Sequence, residues 1–398
     1  MRDTIGQIWR SPVLRMLALI LGLIGAINGS LFPYQSLIAI ERIGLSDAQF
    51  ALVLLVASVA GVAAAVIAGI VSDQHANRRK VALVTAALAV LGPVLMWAAP
   101  SPLTLVLCHA LLLPISGSLY GQTFALARLA CSDRPEDRDG ILAALRSGMS
   151  ATFLGMLLIW SAAFGRRLDV MAVYGLSALA SGALLALVWR DWPRDGTADW
   201  RDPPSGLTLL ASLHEMMVPK VLLRLGILGA IGSAPTLYMV LLSLVFAGIP
   251  GRGTSDTALF VALVAGFEVP FMLLLGRITP RLGRPMVIAG GAAIYAAYLA
   301  LLPFLAPTAA VWLLPVLAGM GGAAILTLPI PYFQELMADR PGTGSSLLAV
   351  QRVTADVICA LAFTMGTALG GYALAALLGA VITLTGAVLL LAADRQRR

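Results

Sequence analysis

The chain has 398 residues, 59% of them hydrophobic and only 12% charged, and its mean hydropathy is +0.91. A soluble domain carries roughly 25% charged residues, so there is too little polar surface here to clothe a water-soluble core, and the composition predicts a polytopic membrane protein. The net charge of +7 would suggest nucleic acid in a soluble chain; here it is that of arginine-rich loops held on the cytoplasmic side, and no nucleic-acid partner is expected.

The opening stretch "MRDTIGQIWRSP" leads into an apolar run with no small-residue cleavage site, which predicts a first spanning helix rather than a removed signal peptide. Each crossing needs about 20 mostly apolar residues. Such runs fall near 13–38, 47–71, 81–99, 102–126, 141–164 and 169–189. After a polar interval they resume near 220–247, 256–276, 286–305, 309–333, 345–369 and 371–392. The interval "WRDWPRDGTADWRDPPSG" (189–206) is rich in Pro, Gly, Asp and Arg and reads as a linker. The expectation is an all-α membrane protein of twelve crossings: one six-helix bundle over 1–190, a cytoplasmic linker over 191–219 and a second bundle over 220–398.

Arginine and lysine positions orient it. With both termini cytoplasmic, the basic residues fall in cytoplasmic tails, loops or helix ends, except Arg42, Arg166, Arg167 and Arg252 outside, and Arg146, Arg224 and Arg352 within helices. The loop after the second predicted helix, "GIVSDQHANRRK" (69–80), has a counterpart after the eighth, "GRITPRLGRP" (276–285). Both start with glycine and end in arginine at the same place in their halves. Repeats of this kind, related by an axis along the membrane normal, are an architecture of secondary transporters.

These two loops resemble the signature of the major facilitator superfamily, a glycine, an aspartate four residues on and then a basic cluster. Gly69, Asp73, Arg78, Arg79 and Lys80 match it, with Ala76 and Asn77 where a glycine usually precedes the basic pair. In the second copy Gly276, Arg281, Gly283 and Arg284 match, but Pro280 stands at the aspartate position. "SDQHANRRK" (72–80), "QTFALARLA" (122–130), "FEVPFMLLLGR" (267–277) and "PYFQELMADRPGTGSSL" (331–347) further resemble bacterial sugar efflux transporters. The resemblance implies a cavity lined by the first, fourth, seventh and tenth helices, and a cytoplasmic gate steadied by contacts of Asp73, with Arg128 as one candidate partner. A solvated loop acid balancing Arg78 and Arg79 is the plainer reading of Asp73.

Charges inside spans are costly, about 2.5–3.5 kcal/mol at the bilayer centre. Arg352 and Asp356 stand four apart in "VQRVTADVICALAFTMG", on one helical face, where they can pair. Two readings stay open for them, a lock between helices and a lining of the cavity. Glu268 in "AGFEVPFML" is an isolated carboxylate in an apolar helix. Burial disfavours its charged form, which makes it the first candidate for proton coupling; a structural partner for an arginine such as Arg224 is the competing reading. Arg146 in "LAALRSGMSATFLG" stays charged and can anchor an acid or donate to a sugar hydroxyl. A neutral polyhydroxyl ligand needs amides, hydroxyls and an aromatic face. Asn28, Gln35, Gln122, Tyr238, Tyr332, Phe333 and Gln334 supply these on the implied lining helices, several beside prolines. For any one of them an interhelical hydrogen bond is the plainer role.

Cys108, Cys131 and Cys359 form no CxxC pair, and His75, His109 and His214 share no ligand spacing, so neither a metal nor a cofactor is expected. No phosphate-binding GxxxxGK[ST], HExxH or GxSxG occurs. The sequence therefore reads as a bacterial inner-membrane secondary transporter, not an enzyme, working as a monomer in lipid. The resemblance implies export of sugars or sugar-like molecules, in exchange for protons. Export of drugs or other metabolites by the same fold stays open, as do a lipid-modifying enzyme and a non-transporting receptor.

Overall fold

The computed structural model describes residues 2–75, 78–131, 135–194, 219–336 and 341–395. These are nearly all helical, with no strand among the described residues. A short helix, Arg2–Arg10, precedes the long ones. The long helices are α1 (Pro12–Arg42), α2 (Asp47–His75), α3 (Arg78–Ala98), α4 (Pro102–Ala130), α5 (Pro135–Gly165) and α6 (Ala172–Asp191). They continue with α7 (Pro219–Ala247), α8 (Thr254–Leu282), α9 (Arg284–Leu305), α10 (Ala309–Phe333) and α11 (Pro341–Arg395). Among the described residues, 11 helices are long and apolar enough to cross a membrane.

The last of these is one unbroken run only by its hydrogen bonding. Its spanning part covers 46 residues, which at 1.5 Å per residue is about 69 Å, twice a bilayer's hydrocarbon core. The backbone leaves helical angles at Gly370 and Gly371, and Gly371 sits at φ 75°, a left-handed conformation that glycine adopts without strain. Beyond this point the chain folds back. A Cβ placed on Gly366 would lie 2.6 Å from that of Ala375, whereas nine residues of straight helix separate two positions by about 13.5 Å. The stacked rings of Phe363 and Tyr372 bridge the same bend.

Local signals set several boundaries. Ser11 caps α1, its Oγ accepting from Leu14 N, and Pro12 follows as the first helical residue. Ser101 and Thr104 form a capping box ahead of α4. Between α8 and α9 stands only Gly283, at φ 83°, so the second copy of the loop signature is reduced to a single left-handed turn.

The chain divides into two compact units. The first comprises Met1–Tyr34, Glu41–Gly44 and Val56–Gly206; the second, Gln35–Ile40, Leu45–Leu55 and Leu207–Arg398. In the first unit α1 crosses α5 at close range. A side chain on Gly25 would run into the Met149 carbonyl and Thr152, and one on Gly29 would come 2.8 Å from Phe153 O. In the second unit α7 meets α11 in the same way, Gly229 lying against Thr354 and Gly232 against Gln351. Small residues let the backbones approach where lipid supplies no hydrophobic drive between helices. The second unit also takes in the end of α1 and the start of α2: Ser36 Oγ donates to Val240 O at 2.7 Å, and Phe50 packs edge-on against Phe363.

Within each unit the helix ends are tied in alternation. In the first, Arg42 reaches Asp169 (2.5 Å), joining the turns after α1 and α5. At the other end Gln7 donates to Asp137 (3.0 Å) and Arg79 to Trp189 O (2.6 Å). In the second, Arg252 follows α7 and donates to Ala306 O and Thr308 O beyond α9, with its guanidinium over Phe246 and Trp312. Arg284, opening α9, pairs with Glu335 just past α10. Successive helices therefore run up and down.

Candidate functional site

The second unit carries two polar clusters on apolar walls. In the first, α8 brings Glu268 against α10, where glycines replace side chains. Gly319 packs on the backbone of Phe267 and Glu268, and a Cβ on Gly322 would meet Glu268 Oε1 at 2.7 Å and Tyr295 Cε2 at 3.5 Å. The carboxyl group and the Tyr295 ring thus converge on one bare patch of α10. Tyr295 also touches Tyr298 and Tyr238 edge-on, with ring centres 5.2 and 6.5 Å apart, and Tyr238 lies 5.6 Å from Tyr298. All three rings are buried, and the hydroxyls of Tyr238 and Tyr298 have no hydrogen-bond partner among the described residues. Glu268 is half-buried and has neither an ion pair nor a hydrogen bond among them. A carboxyl group with no fixed counter-charge can change protonation without breaking a salt bridge. Arg224 serves elsewhere, its Nε donating to Tyr332 Oη (3.0 Å) and its Nη2 to Ala393 O (3.2 Å).

The other cluster lies where α7 meets α11. Asp356 Oδ1 accepts from Thr236 Oγ1 at 3.2 Å, and its Oδ2 lies 3.6 Å from Arg352 Nε. Gln351 Nε2 donates to the Leu228 carbonyl at 3.1 Å. The pair is lopsided: the Asp356 side chain is 12% exposed and that of Arg352 72%. Asp356 therefore ties α11 to α7, while the guanidinium reaches out of the packing.

In the first unit the loop signature gathers Gln122. Ser72 Oγ donates to Gln122 Oε1 at 2.9 Å and Arg78 Nη1 does so at 3.3 Å, all three groups being buried. The amide of Gln122, expected among ligand contacts, is thus held at the end of α2 and the start of α3. Arg79 turns the other way and donates to the Trp189 carbonyl in the last turn of α6, where the helix dipole favours a cation. The side chains of Asp73 and Gln334 lie outside the described residues, so neither the gate role of the first nor the ligand role of the second is placed.

The remaining candidates are scattered. Arg146 is exposed on α5 and Arg128 on the last turn of α4. Asn28 and Gln35 are half-buried on α1, without a side-chain hydrogen bond among the described residues. Tyr332 and Phe333 are buried beside each other on α10. Gly69 lies on α2; Gly276 and Arg281 are exposed near the end of α8, and Gly283 and Arg284 make the turn into α9. Ser72, Thr236, Tyr295 and Tyr298 were not singled out from sequence. The spacing "YAAY" on α9, which sets two tyrosines on one face, was the available signal for the last two.

A family model for the Major Facilitator Superfamily matches residues 17–355. A Deinococcus radiodurans protein named "Putative sugar efflux transporter" is 27% identical over 96% of this chain and 97% of its own length. "Sugar efflux transporter A" of Escherichia coli is 23% identical, over 83% of each chain. Among solved structures, nucleoside transporter NupG superposes with a TM-score of 0.80 at 14% identity, covering 97% of this chain and 99% of its own. A peptide transporter POT in complex with sulfate does so at 0.75 and 13%, covering 96% and 94%. The fold is that of these transporters, and the chain, a multi-pass membrane protein, belongs to the major facilitator superfamily.

Proposed function

We propose that this protein exports sugars or sugar-like small molecules across the bacterial inner membrane by alternating access, in exchange for protons. The bent last helix counts as two crossings, giving twelve in two halves of six, with both termini on the cytoplasmic, arginine-rich side. The observation that carries the cargo is the likeness to two sugar efflux transporters along nearly the whole chain. Glu268 is the proton-exchanging group: a half-buried carboxyl inside a span, beside tyrosine rings and without a cation among the described residues to hold it charged. Intramembrane ionisable groups are retained for such work, because their cost is otherwise uncompensated. No cofactor is needed, and a single chain suffices.

The test is flux in proteoliposomes over a panel of labelled sugars, with and without an imposed pH gradient. Uphill sugar movement that collapses with the gradient supports the reading. Sugar movement indifferent to the gradient would leave facilitated diffusion; dye movement without sugar movement would transfer the fold to drug export.

A further inference from the structure

The two units carry an arginine at the same place. "ILAALRSGMSATF" (141–153) and "LLAVQRVTADVIC" (347–359) align without gaps, Leu142, Ala143 and Arg146 against Leu348, Ala349 and Arg352. The packing agrees. Residues just after Arg146 meet Gly25 and Gly29 of α1, and those around Arg352 meet Gly229 and Gly232 of α7. One turn further on, the repeats part. Arg352 has Asp356, 3.6 Å away; Arg146 has Ser150, whose hydroxyl donates back to the Arg146 carbonyl. Arg146 makes no ion pair or side-chain hydrogen bond among the described residues. The second unit thus presents a neutralised pair where the first presents a bare cation.

The cation points away from the large exposed apolar side chains of its helix. At 100° per residue, the exposed apolar side chains Leu158 and Ile159 of α5 lie about 120° and 140° to either side of Arg146, grouped across the helix from it. On α11 the exposed Val357, Leu361 and Met365 lie about 140–220° from Arg352, with Leu369, next to the bend, about 100° to one side. A charged group inside a span, on the face away from the apolar one, borders water.

We infer that Arg146 is the anion-recognising residue of the transport path, and that the exported sugar carries a carboxylate or phosphate group. A guanidinium offers a planar fork of donors that matches either anion. A neutral sugar would leave that fixed charge unanswered. This inference rests on the transporter reading, and it divides the sugar class by charge.

The test separates binding from flux, using the purified protein in zwitterionic lipid with glucose, glucuronate and glucose 6-phosphate as probes. At least one anionic sugar binds about tenfold or more tightly than glucose. Arg146→Gln erases that preference, Arg146→Lys keeps part of it, and Ser150→Asp, which copies the second unit's pair into the first, also erases it. Which of the two anionic probes responds tells carboxylate from phosphate. Equal binding of all three probes, or a preference that survives both Arg146→Gln and Ser150→Asp, overturns the inference. Charge-selective binding without flux would uphold anion recognition by Arg146 and defeat the transporter reading; sugar flux without charge selectivity would do the reverse.

Discussion

The two units solve the same packing problem and put different chemistry on the solution. In each, the first helix crosses the fifth through glycines set against a backbone carbonyl or a polar side chain, Gly25 and Gly29 in one and Gly229 and Gly232 in the other. In each, an arginine follows at an equivalent position. The charges around it differ: Asp356 answers Arg352, nothing among the described residues answers Arg146, and only the second unit sets a lone carboxyl, Glu268, against glycines and tyrosines. The comparison teaches that helix packing is the repeated part of the design, since it depends on small residues at fixed spacing. The ionisable groups differ between the units while the glycine crossings recur.

The largest expected effect comes from the group without a counterpart. Glu268→Gln removes the exchangeable proton but keeps the shape, so gradient-driven sugar accumulation falls to the passive level while equilibrium binding persists. Unchanged accumulation in vesicles would take Glu268 out of the coupling. Next come the shared glycines. Gly25→Val and Gly229→Val each drive a branched side chain into an occupied contact and should destabilise by about 1–3 kcal/mol or prevent folding. Gly226→Val, which meets nothing within 4 Å, should cost under about 1 kcal/mol. Thermal unfolding in detergent measures all three, and a harmless Gly229→Val would show that the second crossing is not built like the first.

Smaller again is the cost of removing the carboxylate that ties α11 to α7. Asp356→Ala leaves Thr236 without its acceptor and should cost about 1 kcal/mol, whereas Ser150→Ala at the equivalent place should stay within about 0.5 kcal/mol. Equal losses would erase the asymmetry between the units. Of similar size is the effect of Arg79→Ala, which takes a cation from the end of α6 and should cost about 0.3–1 kcal/mol, less in high salt.

Much of this was legible in one dimension. Apolar runs of about 20 residues, separated by arginines, glycines and prolines, announced the helices, because lipid forces every backbone group to bond within its own segment. Gly283 was picked out by the loop signature, and the reason is now visible: it carries the entire turn between α8 and α9 in a left-handed conformation. The span of α5, Gly140–Gly165, falls where its apolar run did, while the helix itself continues back through polar residues to Pro135. The candidate site was less readable. That Glu268 belongs with Tyr295 and Tyr298, or Gln122 with Ser72 and Arg78, depends on which helices are neighbours. Sequence alone gives a residue's face on its own helix and leaves the opposite helix unnamed. The likeness of "LAALR" to "LAVQR" was on the page from the start, but its value appears only once Asp356 and Ser150 are seen to occupy matching places.

The most direct measurement is proton movement driven by sugar alone. Proteoliposomes loaded with a transported sugar and diluted into sugar-free buffer at equal pH should acquire a pH difference as protons enter against departing sugar, and Glu268→Gln vesicles should release sugar without it. Sugar release with no pH change in the unaltered protein, or an identical change in the Glu268→Gln protein, would contradict the account.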